Sequence, residues 1–153
     1  MEIVGKKGIS GIVKYFLDLF VLGGVPVILA LPVTLRWCFN NRTWSIGENY
    51  WFLLVFLCVT GTLGLIMVYE LRKIFNNINN NEPFEKQNAK SLKTIAVMGL
   101  LISAAYIIKI FFYISFLTIV IAAVFLLFGL TGLVFSELFR QAVEVKEEND
   151  LTI

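Results

Sequence analysis

At 153 residues, 58% hydrophobic and 16% charged, the chain is oilier than an ordinary soluble domain, which carries about 45–50% apolar and about 25% charged residues. A net charge of +2 leaves no electrostatic footprint for direct nucleic-acid binding. The lack of histidine removes the commonest general base and metal ligand, and with no Gly-x-Ser-x-Gly or His-Glu-x-x-His pattern present no catalytic, cofactor or metal site is assigned and no enzyme is expected.

The first apolar block, about 15–35, follows Lys6, Lys7 and Lys14. It exceeds the ~7–15 residues of a signal-peptide core, so an uncleaved first helix is expected. Gly23, Gly24, Pro26 and Pro32 are expected to kink or loosen it. Asp18 lies one turn beyond Lys14 and is expected to pair with it at the boundary; the rival reading makes Asp18 an intramembrane proton or ion site. Cys38 and Cys58 have no placed partner for a disulfide or metal site.

The second block, about 51–74, opens with "WFLLVFLCVTGTLGLIMVY", which has no charge, and closes on Glu70 with Lys73 one turn on. Leu71, Ile74, Phe75 and Ile78 form a stripe at helical spacing that carries the helix on into water. The polar stretch "NNINNNEPFEKQN" (76–88) then reads as the tip of a protruding helical hairpin. Asn79 to Asn81 break the helix, Asn81 or Glu82 caps the next one, and Pro83 suits its first turn. Phe84, Leu92 and Ile95 are expected to cover the stripe.

A third apolar region, Thr94 to Ser136, is interrupted by Lys109 alone. As a single helix it would reach about 64 Å, roughly twice the ~30 Å hydrocarbon thickness. Two spans, about 93–112 and 116–139, joined by a tight turn near Tyr113 to Phe116, fit best; one long tilted helix is the alternative. Lys109 sits about one turn inside its boundary and can snorkel outward. Glu137 can pair with Arg140, and Glu70 with Lys73, three residues on; both glutamates are further expected to reach the basic loop at Lys90 or Lys93. The tail, 140–153, is acidic and ends in Leu-Thr-Ile. It reads either as a solvated end or as a segment that docks in a groove.

The expected fold is therefore all-α, a single integral membrane domain (1–153) built as a four-helix bundle. Two segments echo each other, "GTLGLIMVYEL" at 61–71 and "GLTGLVFSEL" at 129–138. Either a two-helix hairpin was duplicated, giving parallel repeats, or oily sequence is similar by chance. The glycine pairs Gly61/Gly64 and Gly129/Gly132 read as sites of close helix approach. With four spans, ten basic residues (Lys6, Lys7, Lys14, Arg72, Lys73, Lys86, Lys90, Lys93, Arg140 and Lys146) face three (Arg36, Arg42 and Lys109) across the membrane. The richer side is the cytoplasmic one, so both termini are expected inside. Trp37, Trp44, Trp51 and Tyr50 then form an interfacial belt at the outer connection.

Four segments, "ELRKIFNNINNNEPFEKQNAKSLKTIA", "YIIKIFF", "SELFRQAVEVKEENDLTI" and "GGVPVILALP", together resemble the bacterial membrane family known as domain of unknown function 2975. The resemblance covers nearly the whole chain, and its most specific parts are the polar hairpin and the terminal "EENDLTI". It implies a four-helix inner-membrane protein without an established activity or agreed catalytic residues. It also implies a frequent gene setting beside a small helix-turn-helix regulator of the Xre type.

Two functional readings follow. In the first, the helices hold an interaction protein in the lipid bilayer of the inner membrane. Its hairpin and tail would then engage a cytosolic partner, in concrete terms an Xre-type regulator, through Phe84, Lys90, Lys93, Asp150, Leu151 and Ile153. In the second, the chain is a small transporter, channel or resistance or immunity subunit, which parallel repeats, glycine-rich helices and Asp18 would suit. In either reading Asp18, Glu70, Lys109 and Glu137 are the candidate intramembrane or interfacial polar residues, and a homo-oligomer is one expected form. The scarcity of polar groups within the spans weighs against the second.

Overall fold

The computed structural model describes residues 8–41, 49–80 and 85–151, the last two of them by backbone alone. These residues form four helices and no strand: α1 (Ile9–Asn40), α2 (Tyr50–Asn79), α3 (Lys86–Phe112) and α4 (Phe116–Leu151). All four are long and apolar enough to cross a membrane. The long apolar region divides as expected, with the break at Tyr113–Ser115. Tyr113 leaves helical geometry there, and its N–H closes α3 on the Lys109 carbonyl.

Two element ends differ from the sequence reading, while α1 stays helical across its expected weak point. Helix α1 runs without interruption through Pro26 and Pro32. In a helix each proline withholds one backbone hydrogen bond, and the loss is tolerated here. Helix α3 begins at Lys86 with Glu85 at its N-cap, later than a cap at Asn81 or Glu82 with Pro83 in the first turn would allow; residues 81–84 themselves lie outside the described residues. The acidic tail is an extension of α4, helical to Leu151.

The helices pack in chain order, α1 on α2, α2 on α3 and α3 on α4. The α3–α4 seam is the closest. Ala96 is fully buried in it, with Ile102 and Ser103 almost so, and Ser103 donates to the Ala122 carbonyl at 2.8 Å. A Cβ placed on Gly129 would lie 2.6 Å from Leu100 and 3.0 Å from the Ala96 carbonyl oxygen; one on Gly132 would lie 2.9 Å from the Ala96 methyl. Small residues let these two backbones meet, the usual device where lipid offers no hydrophobic drive for helix association. The first glycine pair behaves differently. Gly61 meets Ile28 at ordinary contact distance, and a Cβ on Gly64 would meet nothing within 4 Å, so Gly64 is not a close-approach site within this chain. The two echoing segments are therefore packed unequally.

Most large apolar side chains face outward, with Leu29 at 74%, Phe111 at 84% and Phe116 at 81% exposure. A surface apolar on this scale is stable only when covered by lipid or by protein. Between α1 and α4 a groove of about 330 Å³ stays open, lined by residues of all four helices, Val27, Gly61, Tyr106 and Phe125 among them.

One end of the molecule is held by rings. Tyr50 packs edge-on against Phe39 and Trp51, and its hydroxyl donates to the Pro32 carbonyl at 3.1 Å. Phe52 touches Phe112 and Tyr113, and Phe56 meets Tyr106 edge to face. Trp37 and Trp51 stand mostly exposed beside them, as an interfacial belt requires; Trp44 lies outside the described residues. Asn49 caps α2 by accepting from the Trp51 N–H at 3.0 Å.

Candidate functional site

The opposite end gathers the start of α1, the α2–α3 hairpin and the extension of α4. Its organisation starts from two polar stripes. On α1, Ser10, Lys14 and Asp18 recur every four residues; on α2, Arg72, Asn76 and Asn79 recur at four and three. Both spacings keep a stripe on one helix face. Because the helices are antiparallel, the stripes meet rung by rung. Ser10 Oγ donates to Asn79 Oδ1 at 2.6 Å, Lys14 Nζ donates to Asn76 Oδ1 at 2.7 Å, and Arg72 pairs with Asp18. The same register continues toward the aromatic end, where Gly24 receives Leu65 and Gly61 receives Ile28.

This arrangement corrects the expected Lys14–Asp18 pair. A helical i,i+4 pair with the cation N-terminal is the weaker orientation, and α2 offers both side chains a partner across the interface. Asp18 is therefore half of an inter-helix ion pair whose side chains are about one-third to two-fifths exposed.

A second set of polar bonds joins α2 to α3. Asn77 Nδ2 donates to Asn88 Oδ1 at 2.8 Å and to Glu85 Oε2 at 3.1 Å. Ser91 Oγ donates to Glu70 Oε2 at 2.6 Å, while Lys73 Nζ holds Glu70 Oε1 at 2.7 Å. Asn88 and Ser91 are buried, at 2% and 3% exposure. The expected Glu70–Lys73 pair is present. Lys90 acts on Glu70 through its charge, but the group that bonds Glu70 from α3 is Ser91. Asn76, Asn77, Asn79 and Asn88 of the polar stretch are thus working parts of the helix interfaces, a role that an apolar stripe does not reveal; their helical spacing was the available signal.

Between α3 and α4 lies a recess of about 560 Å³. Lys86, Ala89, Lys90 and Lys93 line it from α3, and Ser136, Glu137, Arg140, Val143 and Glu144 from α4. Arg140 binds Glu137 through two nitrogens, at 2.6 and 3.1 Å, and Glu144 through a third at 2.9 Å. Its hydrogen bond to Glu137, reinforced by both carboxylate charges, holds the guanidinium proton more firmly than usual. The expected Glu137–Arg140 pair is thus present, and Lys93 acts on Glu137 through its charge. At the outer edge Lys86 pairs with Glu147 at 2.6 Å, and Val143 is buried to 2% exposure.

The remaining candidates are scattered. Lys109 belongs to the aromatic end, its ammonium 4.9 Å from the centre of the Phe56 ring; facing a ring is one way for a lysine to sit near the membrane boundary. Cys38 and Cys58, on α1 and α2, are not joined to each other. Phe84 and Ile153 lie outside the described residues, as do the side chains of Asp150 and Leu151.

The family model described as a protein of unknown function (DUF2975) matches residues 31–153. No curated protein and no solved structure matches the chain.

Proposed function

Since the chain belongs to the DUF2975 family, whose description carries no activity, we propose a function from the geometry: it is a membrane-held interaction protein. Its working surface is made jointly by the α2–α3 hairpin and the extension of α4. The observation that carries this reading is the docking of the extension on the hairpin's flank, with Val143 buried and Lys86 paired to Glu147. The extension rises about four turns beyond Glu137. Along and beside its docked face stand exposed Glu144, Glu147 and Glu148, the first two held by Arg140 and Lys86, an acidic helix face suited to a basic partner that competes for those carboxylates.

The partner we propose is a small helix-turn-helix DNA-binding regulator of the Xre type, bound at the inner membrane of a bacterium. The basic DNA-binding surface of such a protein is complementary to the acidic face, and the family's gene setting favours the pairing. The excess of basic residues near the polar end supports a cytoplasmic orientation of that end and of both termini. The test is a photo-crosslinker at Gln141 or Glu148, both exposed, in the native host. A cytosolic DNA-binding protein should be captured, and disrupting the tail should change expression of that regulator's targets. Capture of none, with unchanged reporter expression, would leave the second reading, a small transporter, channel or resistance subunit. The groove between α1 and α4 favours that alternative, but its lining is apolar except for Thr60 and Tyr106, which suits a hydrophobic solute better than an ion.

A further inference from the structure

The recess between α3 and α4 has a chemistry that partner docking does not use. On α3, Lys86, Lys90 and Lys93 follow one another at four and three residues, so one face presents three ammonium groups. Arg140 approaches from α4. The recess also contains two carboxylates, Glu137 and Glu144, but Arg140 binds both directly. Lys86 is engaged at the outer edge by Glu147. Lys90 and Lys93 are exposed and form no ion pair among the described residues; each feels a carboxylate, Glu70 and Glu137 respectively, through charge alone. Two uncommitted cations one turn apart thus border a cavity whose buried walls are the small side chains of Ala89, Ser136 and Val143. At about 560 Å³, it falls within the usual ~300–1,000 Å³ of a ligand site.

Depth identifies the ligand class. The apolar stretches of α3 and α4 begin at Ile95 and end at Phe135, which places Lys93 and Glu137 at the hydrocarbon edge. Lys86 stands two turns farther out, about 10 Å along the helix. The polar layer of each leaflet is roughly 5–8 Å deep, so Lys90 and Lys93 lie at the level of lipid phosphates. Basic recesses between spanning helices at this depth suit anionic headgroups.

We infer that this recess binds the phosphate of an anionic lipid headgroup, with Lys90 and Lys93 as its principal donors. A free phosphate shares the same chemistry, and the experiment separates the two sources. Full-length protein is reconstituted in bilayers of equimolar phosphatidylcholine and phosphatidylglycerol, and the lipids it retains on release are counted by native mass spectrometry. Radiolabelled inorganic phosphate is titrated in a parallel, lipid-free sample in zwitterionic detergent. Wild-type protein should retain phosphatidylglycerol preferentially. The K90Q/K93Q variant should lose that preference by on the order of twenty-fold, from about fivefold for each lysine near an anionic surface. Both positions are exposed, so the fold is expected to survive, and K146Q, a lysine outside the recess, should behave as wild type. Phosphate binding that depends on Lys90 and Lys93 without lipid preference would assign the recess to the free anion. The proposal is overturned if the wild type retains both lipids equally and binds no phosphate, or if K90Q/K93Q leaves the preference intact.

Discussion

Replacing Val143 by alanine tests what holds the α4 extension on the hairpin. Charge is the obvious candidate, since the extension is acidic and α3 is basic there, yet the magnitudes favour packing. The Lys86–Glu147 pair has side chains 69% and 48% exposed, and exposed pairs contribute about 0–1 kcal/mol. Val143 is 2% exposed at a height where water is the competing environment. Truncation to alanine removes two carbons at ~0.8 kcal/mol each, about 1.6 kcal/mol in all. That is roughly a fifteen-fold shift toward the undocked or frayed extension.

Hydrogen exchange of full-length protein in nanodiscs reads this shift directly. Val143→Ala should speed exchange of the amides at 141–149 by about tenfold while leaving those of the spans unchanged. Glu147→Gln should speed the same amides less than about fivefold. If Glu147→Gln has the larger effect, electrostatics holds the extension. If neither variant changes exchange, the docked face contributes nothing to the order of the extension.

Other outcomes follow from the interfaces. Gly129→Ala should destabilise the protein in detergent by about 1–3 kcal/mol through overpacking, whereas Gly64→Ala, with open space around it, should be neutral or gain about 0.5–1 kcal/mol of helix preference; equal melting shifts would refute the α3–α4 close approach. Asn88→Ala should cost about 1–3 kcal/mol by leaving buried polar groups short of a partner, with faster proteolysis of the hairpin as the readout. Asp18→Asn should leave proton flux into proteoliposomes unchanged, and a lost flux would move Asp18 from the ion pair into a transport role. Cysteines introduced at Asn80 and Asn41, both exposed, in a background lacking Cys38 and Cys58, should differ in labelling by an impermeant thiol reagent; labelling of the Asn80 site from outside intact cells would reverse the proposed orientation. Asn79 is unsuited to that experiment, because it is buried against Ser10.

How much of this was legible in the sequence depended on how far apart the interacting residues lie. The spans and the break at Tyr113–Ser115 follow from block lengths against membrane thickness, a constraint that needs no knowledge of packing. Glu70–Lys73 and Glu137–Arg140 were legible because helix geometry alone brings residues three apart together. Asp18–Arg72 crosses 54 positions of sequence, and Ser10–Asn79 crosses 69. Finding them requires the inter-helix register, so the local rule supplied Lys14 as the partner of Asp18 instead. The stripes were nevertheless present, since Ser10, Lys14 and Asp18 repeat at helical spacing opposite a matching set on the next helix. The roles of Asn77 and Asn88 were obscured for another reason. A run of asparagines reads as a helix breaker, and whether one is buried depends on the neighbouring helix.

The polar end is graded in a way that bears on what it can do. Its α1–α2 and α2–α3 contacts include buried groups, Ser10 on Asn79 and Asn77 on Asn88. A one-residue slip of α1 on α2 would break three rungs together, and each buried group left unpaired costs about 1–3 kcal/mol. Those helices are therefore locked in register. The α4 extension rests on the hairpin through buried Val143 and the exposed Lys86–Glu147 pair, contacts that include no buried hydrogen bond like those of the other two interfaces, so its opening free energy is expected to be the lowest of the polar end. Partner-responsive motion is drawn from the least stable elements of a fold. A cationic partner taking up Glu147, or a phosphate drawing Lys86 toward Lys90, would each relax the same Lys86–Glu147 contact without disturbing the buried bonds below it. On this grading the extension is the part expected to move while the hairpin stays fixed, a difference in stability that suits the proposed partner-binding surface.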